Sequence, residues 1–144
     1  MELRLLGRPV HRWFVLLVAT VATAGSLWFS EGLGLIPCEL CWYQRILMYP
    51  LVPITAIALL ERRDPRRTVL ALAVPGFLVA AYHNYVQMNP AAGSCTSPVP
   101  CSTVQYRAFG LTIPQMSLTA FGLIVAAVLV GAALRGRNGT AGGE

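Results

Sequence analysis

The sequence contains no lysine: all 11 basic residues are arginine, set against only six acidic ones. Charged residues make up 12% of the 144, while 56% are apolar, and that balance excludes an ordinary soluble domain of this size. The net charge of +5 does not indicate a nucleic-acid surface. The arginines fall in short clusters between apolar runs, as membrane flanks do, and not along one face. Cysteine is scarce as well, with four residues, all outside the apolar runs.

Four apolar runs, at 13–29, 43–60, 68–87 and 113–134, are long enough to approach the roughly 30 Å of hydrocarbon that a span must cross. The expected fold is therefore an all-α, four-helix membrane bundle forming one domain. Ala22-Thr23-Ala24 resembles a signal-peptide cleavage site, but the apolar run continues through Leu27, Trp28 and Phe29, so a retained span is expected. Pro50 and Pro53 predict a kink in the second span, and Pro75-Gly76 predicts another in the third. Residues 30–42 and 88–112 form two loops at one end. The Gly-rich tail, 135–144, reads as disordered, and its Asn138-Gly139-Thr140 as a chance glycosylation match.

Arginine placement orients the bundle. Arg4, Arg8, Arg12, the four arginines of 62–67, Arg135 and Arg137 share one side, leaving Arg45 and Arg107 on the other. The positive-inside rule then puts both termini in the cytoplasm and all four cysteines outside, where disulfides persist.

Cys38 and Cys41 have two residues between them, and Cys95 and Cys101 have five. Loops this short stabilise a fold by only about 2–2.5 kcal/mol each when closed by a disulfide. They are also more readily strained and reduced, which favours redox use over stapling. A zinc site from all four cysteines suits the first spacing but not the wider second one, so no metal is expected. The first pair opens the second span, where the helix dipole favours a thiolate. Arg45 adds positive charge one turn on, and Glu39 opposes it. The balance predicts a thiolate at Cys41 and leaves Cys38 open. Arg45 and His83 both approach the same rim. Trp42, Tyr43 and Tyr49 read as interfacial or packing aromatics.

Cys38-Glu39-Leu40-Cys41-Trp42-Tyr43-Gln44-Arg45, the outer cysteine pair, and Phe109-Gly110-Leu111-Thr112-Ile113-Pro114-Gln115 together resemble the DsbB/BdbC family. The likeness runs over essentially 13–134. It implies a multi-pass protein of the bacterial cell membrane that reoxidises an extracytoplasmic thioredoxin-like disulfide donor and passes electrons to ubiquinone or menaquinone. It implies catalytic roles for Cys38, Cys41, Cys95 and Cys101, with Cys95 meeting the partner and Cys41 next to the quinone. Arg45 matches the family's quinone-site arginine, and His83 resembles a histidine near that site. The five-residue second spacing is closer to the BdbC type than to the longer DsbB pattern. Two alternatives stand beside this reading. One is a vitamin K epoxide reductase-like enzyme, in which the Cys-x-x-Cys comes late in the bundle. The other is a membrane scaffold with structural disulfides.

The arginine asymmetry predicts that a membrane-impermeant thiol reagent, applied to intact cells after reduction, labels all four cysteines. Labelling that requires permeabilised cells would reverse the orientation.

Overall fold

The computed structural model describes residues 9–92 and 100–141. Among them, Val10–Gly32, Glu39–Leu60, Arg66–Met88 and Ile113–Arg137 are helical segments long and apolar enough to cross a membrane. The protein is a four-helix membrane bundle. The first segment is helix α1 (Pro9–Leu27) continued by a π-turn, Trp28–Gly32. The second is α2 (Glu39–Met48) followed by α3 (Leu51–Leu60), the third is α4 (Arg66–Met88), and the last belongs to α5 (Ile113–Ala141).

Proline chemistry explains the division of the second segment. Pro50 has no N–H to continue the helix, and the missing N–H of Pro53 would have bonded the Tyr49 carbonyl. That carbonyl instead accepts from Val52 N at 3.2 Å, a tighter turn that separates α2 from α3. Pro75 behaves differently: α4 runs through it without interruption. The helix α5 also runs on to Ala141, through most of the stretch expected to be a disordered tail. Extending a helix already formed adds a hydrogen bond for each residue ordered, which favours propagation over a clean stop at Leu134. Residues 142–144 lie outside the described part.

Helix α5 packs against α4 and α1, α2 lies on α4, and α1 contacts α3. The shared core includes Val15 and Ala19 of α1, Leu51 of α3, Ala73 and Ala80 of α4, and Phe121 and Ile124 of α5. Small residues on α4 let α5 come close. At Gly76 the fit is tightest, because a Cβ there would run into the buried Phe121 ring.

The turn joining α3 to α4 is built at the opposite end from the cysteines. Arg62 adopts φ 56°, Arg63 N bonds Ala58 O at 2.9 Å, and Arg62 N lies 3.4 Å from Leu59 O. This is a Schellman ending with arginine where glycine is usual. Asp64 then accepts from Arg66 N at 3.2 Å and from Arg135 Nη1 at 2.6 Å, tying the turn to α5. Burial pushes the Asp64 carboxyl up, but the Arg66 N–H and the Arg135 charge outweigh it and hold it below its ordinary value. The stability this adds is therefore present above the usual carboxylate range and lost as pH falls through the folded-state pKa.

At the cysteine end, β1 (Arg107–Ala108) pairs antiparallel with β2 (Leu111–Thr112). Phe109 and Gly110, at φ 54° and 80°, make the two-residue turn between them. Thr112 N donates to Gln115 Oε1 at 2.9 Å, one half of a capping box that starts α5.

The Gly76–Phe121 contact predicts that Gly76→Ala destabilises the bundle by about 1–3 kcal/mol, the usual cost of overpacking. Thermal unfolding in micelles should show a smaller cost for the same change in a Phe121→Leu background. Equal costs in both backgrounds would show that the ring is not what excludes the methyl group.

Candidate functional site

Cys38 is the N-cap of α2, with extended backbone (φ −75°, ψ 174°), and its carbonyl accepts the first helical bond from Trp42 N at 3.1 Å. Cys41 lies one turn in, so the pair straddles the helix start. Both are free thiols in this structure, with their sulfurs 3.0 Å apart. Cys38 is 3% exposed and Cys41 is half-buried.

The sequence reading expects the thiolate at Cys41, whereas the electrostatics of the pair favour Cys38. The hydrogen bond shared with Cys41 outweighs burial in lowering the Cys38 pKa below its ordinary value, and His83 acts in the same direction. The charge is therefore favoured on Cys38. Glu39, the opposing charge in the sequence reading, accepts the Tyr43 hydroxyl at 3.2 Å on an exposed face.

His83, on α4, is 1% exposed and reaches three groups. Its Nδ1 is 2.9 Å from Gln44 Nε2, its Nε2 is 3.1 Å from the Cys101 carbonyl, and Nε2 is 3.7 Å from Cys38 Sγ. The three are satisfied together when the Gln44 amide donates to Nδ1 and Nε2–H points toward the carbonyl and sulfur. Cys101 is disulfide-bonded, 2% exposed, and packed in one apolar cluster with Cys38, Leu40 and Val86. Cys95 lies outside the described residues.

Arg45, one turn after Cys41, sends Nη2 to the Ser26 carbonyl at 3.0 Å and holds its guanidinium 5.4 Å from the Trp42 ring. Tyr49 donates to Ser26 Oγ at 3.0 Å. The Ser26 carbonyl, at the end of α1, also accepts the Ser30 hydroxyl from within the π-turn. A π-turn leaves carbonyls free for such use. Cys38, Cys41, Gln44, Arg45 and His83 all line one open-sided cavity of about 70 Å³, with Phe29, Met48 and Phe121 among its apolar walls. The two loops meet around it: Gln105 Nε2 donates to Ile36 O at 2.9 Å, and Tyr106 packs on Phe29 with ring centroids 5.4 Å apart.

The structure thus gathers Cys38, Cys41, Cys101, Arg45 and His83 at one place. Two residues missing from the sequence reading are central to it. Gln44 carries a faint signal, being a polar residue on the same helical face as Cys41, three positions on. Ser26 carries none, since its role depends wholly on where α1 passes α2.

This is a multi-pass membrane protein built around a dithiol at one rim of the bundle, with a disulfide packed beside it. Its relatives make the class specific. The family profile described as "Disulfide bond formation protein DsbB" matches residues 10–131. The chain is 47% identical over 125 residues to "Disulfide bond formation protein C" of Bacillus subtilis (strain 168), covering 83% of this chain and 90% of that protein. It is 41% identical to a "Probable disulfide formation protein" of Oceanobacillus iheyensis, over 74% of this chain and 77% of that one. A "Probable disulfide formation protein" of Deinococcus radiodurans is 40% identical, over 84% and 88%. No solved structure matches. The chain belongs to the DsbB family of disulfide bond formation proteins and is a multi-pass cell-membrane oxidoreductase.

The Gln44–His83 bond predicts that Gln44→Ala leaves Nδ1 unpaired in the bundle and destabilises it by about 1–3 kcal/mol. Denaturant unfolding in micelles measures this. An unchanged midpoint would mean that Nδ1 finds another partner.

Proposed function

We propose that this protein oxidises an extracytoplasmic thioredoxin-like dithiol and passes the electrons, through its two cysteine pairs, to a membrane quinone. The observation supporting this most directly is the packing of Cys101 against Cys38, both in contact with His83, beside the cavity that Cys41 and Arg45 line.

In the relay, a partner thiolate attacks Cys95 and Cys101 leaves as a thiolate. The partner's second thiolate then displaces Cys95 and departs with its own disulfide, leaving two electrons on the second pair. Cys101 next attacks Cys38 of the oxidised first pair, and Cys41 leaves. Attack by Cys95 on Cys101 restores the second disulfide and releases Cys38 as a thiolate. The end point is a reduced first pair beside a disulfide-bonded Cys101, the state of the cysteines in this structure. His83 spans the donor and acceptor loops, so proximity supplies much of the acceleration.

The cavity suits a quinone head in kind: an arginine donor, a dithiol, and apolar or aromatic walls. The cavity is open-sided, with Cys41, Arg45 and Tyr49 among its lining, so a ring could enter without being fully enclosed. A quinone bound there would supply the two-electron, two-proton acceptor that re-forming the Cys38–Cys41 disulfide requires. Arg45 orients it and favours negative charge there, while Cys41 is the sulfur on its helical face. The Arg45–Ser26 bond keeps the guanidinium at the cavity wall.

Because the pairs have consecutive jobs, they separate experimentally. Cys101→Ser should fail to oxidise the protein partner yet still pass electrons from dithiothreitol to quinone, because a small dithiol reaches Cys38 directly. Cys41→Ser should stop quinone reduction with either donor. Loss of quinone absorbance with each donor reads both. Partner oxidation at the unmodified rate in Cys101→Ser would reduce the second pair to a staple.

A further inference from the structure

We propose that the reduced Cys38–Cys41 pair and His83 form a redox-gated binding site for one thiophilic divalent cation of the zinc or cadmium type. This does not depend on the quinone reading; it needs only the dithiol state seen here. The Sγ atoms of Cys38 and Cys41 and a ring nitrogen of His83 lie within 4.8 Å of one another. Zinc bonds of about 2.3 Å to sulfur and 2.0–2.1 Å to nitrogen place tetrahedral sulfur and nitrogen ligands roughly 3.5–3.6 Å apart. The Cys38 Sγ–His83 Nε2 distance is 3.7 Å. The sulfurs, at 3.0 Å, must open by roughly 0.8 Å to reach the tetrahedral sulfur–sulfur edge. Cys38 sits outside the helix on extended backbone and Cys41 is half-buried, so side-chain rotation suffices.

Charge and surroundings agree with the geometry. Two thiolates neutralise a divalent cation, so the loaded site carries no net charge into the apolar bundle. The nearest arginine, Arg45, is already directed to the Ser26 carbonyl. Gln44, at His83 Nδ1, is the outer partner that ligating imidazoles need. With its amide turned, it accepts from Nδ1–H and leaves Nε2 free for the metal, at the expense of the bond to the Cys101 carbonyl. Three protein ligands leave a fourth position open. Binding releases thiol protons and ties up both sulfurs, so the cation and the Cys38–Cys41 disulfide exclude each other.

The test uses the full-length chain in micelles, free of quinone, carrying Cys95→Ala and Cys101→Ala so that only one pair remains. After reduction with a phosphine, cadmium is titrated and followed by the ultraviolet thiolate-to-metal band. One cadmium per chain should bind, and none once the pair is oxidised. Adding His83→Ala should weaken binding at least about 10-fold, and Gln44→Ala about 10-fold. Cadmium NMR of the chain with His83 intact should report two sulfurs and a nitrogen, which keeps the proposal testable if the His83 variant misfolds. Equal binding by the oxidised chain, an unchanged affinity without His83, or a cadmium shift lacking nitrogen would overturn the site.

Discussion

A buried imidazole governs the cysteine end of this bundle. His83 is enclosed by α2, α4 and the second loop, and each ring nitrogen left unpaired there would cost about 1–3 kcal/mol. Its partners come from three separate parts of the chain: the Gln44 amide, the Cys101 carbonyl and the Cys38 sulfur. Satisfying one side chain therefore sets how α2 sits on α4 and brings the second cysteine loop down onto the first. Hydrophobic packing alone would not choose that register, since apolar side chains tolerate many similar arrangements.

Arg45 is held by a related device on the other side of α2. The guanidinium leans on Trp42 and bonds a carbonyl that α1 presents at Ser26, next to the π-turn. The proline break after Met48 ends α2 just below, so the short helix carrying Cys41, Gln44 and Arg45 is positioned separately from α3. The cavity arises between these two anchors, with His83 and Gln44 on one wall and Arg45 and Ser26 on another. The Gln105–Ile36 bond and the Tyr106–Phe29 contact then draw the loops together around it.

The redox states on view give the site its chemical character. Cys38 and Cys41 are free thiols lining the cavity, and Cys101 beside them is disulfide-bonded. The same reduced sulfurs, with an imidazole against them, are also soft metal ligands.

Hydropathy alone was enough to determine four spans, because a bilayer leaves a chain few ways to satisfy its backbone. Covalent spacing likewise determined that Cys41 and Arg45 share a helical face and that Cys38 lies at a helix start. Contacts across the bundle were not legible. His83 to Gln44 spans 39 positions and His83 to Cys101 spans 18, and no periodic pattern encodes either. Nor was the preference for charge on Cys38, which depends on His83 reaching that sulfur from another helix. The Gly-rich tail shows the converse, a local composition overridden by the helix that precedes it. Local chemistry and the solvent decided the elements; only the folded bundle, by requiring partners for a buried imidazole and a guanidinium, decided which side chains became a site.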